Sequence, residues 1–280
     1  MFDNYLTAIK GGGDIASGIA CRLFRSGFPV FITELESPLV VRRAVAFAQA
    51  IFSGETEVEG IKAVKVKSPE AVIPVIKKGA IPVITDREAS CFNDLKPDIV
   101  IDGIMAKRNT GTTLRDADFV IGIGPGFTAG IDVHCVIETS RGHNMGRIIH
   151  EGTACEDTSA PAPVMGYSVE RLLRAPCTGI VRINRDIGEK VISGETVAVI
   201  GDVHVKAQIP GVLRGIVHNG VYLEEGEKLG DIDPRGIKEY CFSVSDKSLA
   251  VGGGVLETIL NYINLDSDHH LLQVYRPELI

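Results

Sequence analysis

The chain has 280 residues, 45% apolar and 23% charged, with a formal net charge of −7. That is room for two domains with real cores, and it excludes a disordered tail. It also argues against a nucleic-acid binder, which needs a clustered basic face, and the longest apolar runs, such as Phe119–Ile123, are too short to span a bilayer.

The first hundred residues alternate strand and helix patterns. A short apolar strand ends at Ala8–Lys10, and the turn Gly11-Gly12-Gly13 leads into an apolar-periodic helix, Ile15 to Phe24, stopped by Gly27. Pro29–Thr33 reads as a strand and Pro38 opens a predicted helix through Ala50. Lys62–Val66 alternates polar and apolar, as an edge strand or one with an exposed face does. Pro69 starts a further helix that Gly79 ends, and Ile81–Ile84 and Asp98–Ile101 are buried-type strands. Further strands are expected at Asp118–Ile123, Ile131–Thr139 and Gly146–His150, then a long loop over Thr153–Gly166.

From Leu172 the chain repeats itself. Ala175-Pro176-Cys177-Thr178-Gly179-Ile180-Val181 with Ser193-Gly194-Glu195-Thr196-Val197 is echoed by Ile209-Pro210-Gly211-Val212-Leu213-Arg214-Gly215 with Glu225-Gly226-Glu227-Lys228-Leu229. Two such copies can close over one core and so remove sheet edges. The spacing resembles the barrel-sandwich hybrid of lipoyl and biotinyl domains. The lysine such domains modify has only Lys206 as a counterpart, on a predicted strand and without the usual flanks, so no lipoyl or biotin is expected. The tail holds Asp246-Lys247-Ser248, Gly252-Gly253-Gly254 and a predicted helix Val255–Ile263; His269 and His270 sit in a polar end and carry no expected role. The expected fold is α/β: a Rossmann-like, mainly parallel sheet over 1–165, a small all-β barrel-sandwich hybrid domain (lipoyl/biotinyl-like) over 168–237, and a helical segment over 238–280 that packs on the first domain.

Gly11, Gly12, Gly13, Asp14, Ile15 and Ala16 fit G-x-G-x-x-A between a strand and a helix, where glycine lets the backbone approach a pyrophosphate seated on the helix N-terminus. Glu34 ends the next strand, where a dinucleotide fold places its ribose-binding acid, and would favour NAD over NADP. Gly124, Gly126 and Phe127 belong to a second glycine-rich turn after a strand, a candidate anion nest. Asp102, Lys107 and Arg108 follow one strand, and Arg141, His143 and Arg147 follow another; together they are expected to converge on an anionic ligand. Adjacent residues on a strand face opposite ways, so His134 and Cys135 cannot share an ion, and no metal site is expected. The six cysteines, Cys21, Cys91, Cys135, Cys155, Cys177 and Cys241, form no C-x-x-C pair; with no signal peptide in view, this fits a reducing, cytoplasmic setting.

Lys10-Gly11-Gly12-Gly13-Asp14-Ile15-Ala16-Ser17-Gly18, Thr33-Glu34-Leu35-Glu36 with Arg42-Arg43, Met105-Ala106-Lys107-Arg108-Asn109, Gly124 to Gly130, Glu138-Thr139-Ser140-Arg141-Gly142-His143 and Asp246-Lys247 together resemble one family. It is the selenium-dependent molybdenum hydroxylase system proteins of the YqeB type, related to xanthine dehydrogenase accessory factors of the XdhC/CoxI group. The resemblance implies a maturation role for a molybdenum hydroxylase, with a molybdopterin-type cofactor or NAD(P) as ligand. It implies the hydroxylase apoenzyme and cofactor sulfuration or selenium-delivery proteins as partners, with homo-oligomerisation left open. An NAD-dependent oxidoreductase and a non-enzymatic docking scaffold are the alternatives. Cys135 and Cys155 are the nearest candidates for a sulfur or selenium carrier, though neither sits in an evident activating loop.

Overall fold

A computed structural model describes residues 2–157 and 161–266; His269 and His270 lie outside them. In chain order the first part holds β1 (Thr7–Lys10), α1 (Asp14–Arg25), β2 (Val30–Glu34), α2 (Ala50–Ser53), β3 (Glu55–Val58), β4 (Ile61–Val66), α3 (Val72–Lys77), β5 (Ile81–Thr85), α4 (Phe92–Leu95), β6 (Ile99–Asp102) and β7 (Phe119–Ile123). It continues with β8 (Thr128–Ala129), β9 (Cys135–Ile137), β10 (Ile148–Ile149) and β11 (Gly152–Thr153). An all-β part follows: β12 (Leu172–Arg174), β13 (Gly179–Ile183), β14 (Lys190–Val191), β15 (Thr196–Ile200), β16 (Val203–Lys206), β17 (Gly211–Ile216), β18 (Tyr222–Leu223) and β19 (Lys228–Asp233). The chain then ends its described course in α5 (Asp246–Asp266).

The first part is built on a nine-stranded sheet, β10-β9-β7-β6-β1-β2-β5-β4-β3. It is mixed: β3 runs antiparallel to β4 and β10 antiparallel to β9, at its two ends. Central strands such as β1 are buried throughout, so they are continuous apolar runs and not alternating ones. Ile9, Ile101 and Ile121 point to the face covered by α1 and α5, whereas Ala8, Val100 and Val120 point to the other. On that other face lie the short helices α3 and α4 and the buried side chains of Phe127, Ala129 and Ala154. The predicted helix 38–50 does not form. Its β-branched Val40, Val41 and Val45 lose side-chain freedom in a helix, and Ala46 is extended between two 3-10 turns, Arg43–Val45 and Phe47–Gln49. In the all-β part, β12-β19-β17-β14 and β16-β15-β13-β18 are two four-stranded antiparallel sheets over one core. They keep edge strands, so the repeat does not close as expected. The expected Rossmann-like sheet plus barrel-sandwich hybrid is therefore corrected to a nine-stranded mixed sheet with separate antiparallel sheets.

The last helix is longer than its pattern suggests. Ser245 caps it, its Oγ accepting the Ser248 amide at 3.1 Å, and it runs straight through Gly252-Gly253-Gly254. Each glycine there costs about 1 kcal/mol of intrinsic helix propensity. Close packing overrides that cost: a Cβ on Gly254 would sit 2.1 Å from the Gly146 carbonyl oxygen, and one on Gly252 3.2 Å from that of Gly18. α1 carries the matching gap, since a Cβ on Gly18 would meet Ser248 at 2.5 Å. Glycines on both helices let the backbones of α1 and α5 approach.

Candidate functional site

β1, β2, β6, β7 and β9 run parallel, so their carboxyl ends share one sheet edge. The loops leaving them touch. A Cβ on Gly11 would lie 3.1 Å from Ile104 Cα, one on Gly126 2.6 Å from the Arg108 amide, and one on Gly124 2.6 Å from Thr139 Oγ1. The two glycine-rich turns, the 103–108 loop and the 138–141 segment are thus brought together. Met105 and Lys107 adopt φ of 61° and 63°, a conformation that costs a non-glycine residue about 1–2 kcal/mol. Such strain gathers at ligand-binding loops.

The first turn is largely spent on the chain itself. Gly11 donates its amide to Thr33 O at 2.8 Å, and Gly12 to Glu34 Oε2 at 2.7 Å. Leu35 donates to the other carboxylate oxygen of Glu34, also at 2.7 Å. Burial pushes that carboxyl up, and both its oxygens are engaged within the turn and not held open for a ribose. Ala48 packs on Gly12, its amide 2.8 Å from where a Cβ would be. Ile15 and Ala16 are buried in the core below α1. Gly13 faces open space, and Asp14, in the first turn of α1, lies 3.9 Å from Arg42. The second turn is similar. Gly124 donates to Ile137 O at 2.9 Å, and Phe127 is buried, its ring filling the place of a side chain on Gly122.

The expected cations meet carboxylates. Lys107 pairs with Asp157 at 2.5 Å. Arg141 holds Asp246 through two hydrogen bonds, of 2.7 and 3.0 Å, and that guanidinium brings the Asp246 carboxyl down to about 2. Arg108 packs its backbone against Gly126, and exposed His143 lies 3.5 Å from Arg147. Asp102 is buried under the opposite sheet face, where it accepts a hydrogen bond from Thr112 Oγ1 at 2.5 Å. Burial raises its carboxyl.

Lys247 is the residue that sequence reasoning missed as a site residue. It lies in the first turn of α5, and the fold brings it beside Asp14 of α1, Arg141, Asp157 and Glu138. Among the described residues its ammonium makes no hydrogen bond and no close ion pair, while its amide donates to the Asp246 carboxylate. Burial, the largest cause, lowers the pKa of its ammonium. The available signal was Ser245-Asp246-Lys247-Ser248, a helix start that the following glycines obscure. α1 and α5 both open at this edge, so two helix N-termini add partial positive charge there.

Neither Cys135 nor Cys155 is activated. Burial pushes Cys135 to about 12, and hydrogen bonding to Glu138 raises exposed Cys155. A thiolate nucleophile needs the opposite shift. Among the described residues no group of three or more His, Cys, Asp or Glu side chains could hold a metal ion, and no helix is long and apolar enough to cross a membrane.

No protein-family model matches the chain. It is 47% identical over 255 residues to "Uncharacterized protein YqeB" of Escherichia coli (strain K12), which covers 91% of this chain and 47% of the relative. The chain thus spans about half the length of the curated relative it matches. Among solved structures it is similar to a succinylglutamate desuccinylase from Silicibacter sp. TM1040, 13% identical over 83% of this chain and 85% of that one, TM-score 0.26. Others are an aspartoacylase family protein from Mesorhizobium loti, 12% identical over 81% and 84%, TM-score 0.25, and a succinylglutamate desuccinylase/aspartoacylase from Rhodobacter sphaeroides, 19% identical over 30% and 29%, TM-score 0.22. These neighbours are not molybdenum hydroxylase factors, and the relative is itself uncharacterized. On that finding the expected maturation role is corrected, with its molybdenum-cofactor, selenium and XdhC-like assignments. With TM-scores of 0.22 to 0.26, no activity is carried over from the neighbours.

Proposed function

We propose that this chain, a protein of the YqeB type, binds the anionic group of a small metabolite at the carboxyl edge of its nine-stranded sheet, with Lys247 as the anchor. The observation that carries this reading is the state of Lys247: a partly buried ammonium without a close partner, at the point where α1 and α5 begin. A cation in that position has lost water without gaining an ion pair, and an anion would restore the balance. Gly13, open beside it, leaves room at the backbone. Arg141 and Lys107 line the same edge and would exchange Asp246 and Asp157 for the ligand. Asp14 and Glu138 favour a ligand that also presents a hydroxyl or amine.

The test is calorimetry against a panel of small carboxylates and phosphate esters. Lys247→Met lowers the affinity of whichever anion binds by at least about tenfold, or about 1.4 kcal/mol, whereas Lys247→Arg keeps most of it. Because the Lys247 pKa is lowered, its charge is lost at a lower pH than an exposed lysine's. Anion affinity therefore falls with rising pH before the ordinary lysine range is reached. Unchanged anion binding in Lys247→Met overturns the reading.

A further inference from the structure

Arg42 and Arg214 carry guanidinium groups that the protein only partly satisfies. Arg42 precedes the first 3-10 turn after β2, and Arg214 lies on β17, so the two come from different parts of the fold. Their side chains are only 9% and 13% exposed. Arg42 Nη2 donates to Tyr240 O at 2.9 Å and to Ser243 O at 3.2 Å, but its Nε is buried without a partner. Its Nη1 lies 3.9 Å from Asp14 Oδ2, too far for a hydrogen bond. Arg214 Nε is likewise buried and unpartnered. Among the described residues the ion pair of Arg214 is with Asp233, 3.6 Å from Nη1, and it makes no hydrogen bond. A guanidinium carries five N–H donors, and here most of them are unused. The unbonded terminal nitrogens are not enclosed as the two Nε atoms are, so they open to solvent.

The carboxylates nearby are already taken. Asp233 accepts the amide, Nε and Nη2 of Arg235 at 3.1, 2.9 and 2.6 Å. Both oxygens of Asp231 face Arg171 Nη2, and Arg141 holds Asp246. Asp157 pairs with Lys107, and Glu138 accepts the Ser140 and Cys155 amides. That leaves Asp14, which neighbours both Arg42 and Lys247. The cations register the shortage. Burial, and next the charge of Arg214, lower the pKa of Arg42, and Asp14 and Asp231 do not offset them. Lys247 is lowered too, by burial first. The Asp246 carboxyl, lowered first by Arg141, is also lowered by Arg214. Arg42, Arg214 and Lys247 therefore share one neighbourhood, where α1 and α5 begin.

We propose that the anionic group taken at this edge is a phosphate monoester, held jointly by Arg42, Arg214 and Lys247. The inference rests on the reading that Lys247 anchors an anion, and it names the chemistry of that ligand. A phosphate monoester presents three terminal oxygens and nearly two charges at neutral pH, and guanidinium forks pair with it through two hydrogen bonds at once. A carboxylate has two oxygens and one charge, and would leave one of the three cations unmet.

Calorimetry near neutral pH with glycerol 3-phosphate, its methyl diester and glycerate tests this. Glycerol 3-phosphate binds at least about tenfold tighter than either of the others, each of which carries one charge. Arg214→Gln weakens the monoester by about tenfold or more and leaves glycerate nearly unchanged, so the preference disappears; Lys247→Met weakens all three. Equal affinities for the three anions, each weakened in Lys247→Met, keep the edge reading and overturn the phosphate assignment. An unchanged preference in Arg214→Gln overturns it as well. No binding of glycerol 3-phosphate also overturns it, while the wider panel of anions still decides the edge reading. The preference is measured first on the unaltered protein, so the test does not depend on a variant folding.

Discussion

Arg141 reaches 105 positions along the chain to Asp246, and Lys107 crosses from the loop after β6 to Asp157. In the all-β part several pairs are short-range, Arg185 with Glu189 and Glu195 and Arg235 with Asp233, while the buried pair of Arg171 and Asp231 spans sixty positions. The glycines of turns and of helices also differ. Gly194, Gly220 and Gly226 turn the chain at positive φ, with nothing near the place of a side chain. Gly252 and Gly254 adopt ordinary helical backbone and are required by residues more than a hundred positions away. The antiparallel part joins sequence neighbours such as β15 and β16 as well as the distant β12 and β19, and its exposed charge pairs and turn glycines are local. The parallel sheet joins distant segments at one edge, and its chemistry is assembled by the fold.

The sharpest test of that contrast is in α5. Gly254→Ala should destabilise by about 2–3 kcal/mol, because its methyl meets the Gly146 carbonyl. Gly253→Ala, one residue earlier and with nothing within 4 Å, should stabilise by up to about 1 kcal/mol through helix propensity. Urea unfolding of both measures the difference; equal effects would mean that the helices do not pack through their glycines.

A smaller effect is expected at Arg141. The folded pKa of Asp246 is depressed, so its contribution is present above the usual 3.8 and lost as pH falls toward about 2. Asp246 is two-thirds exposed, so screening holds this below about 1 kcal/mol. In Arg141→Ala, NMR titration should place Asp246 near 3.8, and the acid limb of the stability curve should move little below pH 4. The smallest effect belongs to the local pairs. Arg185→Ala should change the thermal midpoint little, since Arg185 and Glu189 are nearly half exposed and its charge is already well solvated. A clear loss there would show that the all-β part also depends on its surface pairs.

The same contrast explains what could be read ahead of the structure. Strand positions such as Ile81–Ile84 and the helix after Gly13 follow from periodicity and turn residues, and both are present as β5 and α1. The 38–50 helix and the late start of the last helix were misjudged because Val41 packs on Gly215 and Gly252 on Gly18, contacts that no local pattern records. Glu34 lies at the strand end where it was expected, yet its carboxylate is turned onto Gly12 and Leu35. The G-x-G-x-x-A spacing marks a tight turn; whether that turn grips a ligand or its own chain depends on what packs over it, and here Ala48 does.

Period, charge and glycine spacing thus determined the order of strands and helices along the chain and the doubled pattern of the all-β part, because these depend on residues a few positions apart. Only the tertiary structure decided that the larger sheet is mixed, that two helix starts meet at Lys247, and that Arg42 and Arg214 come together with donors to spare. Burial and pairing across a hundred residues are properties of the assembled fold, and they set the electrostatics of a side chain more strongly than its neighbours in sequence do.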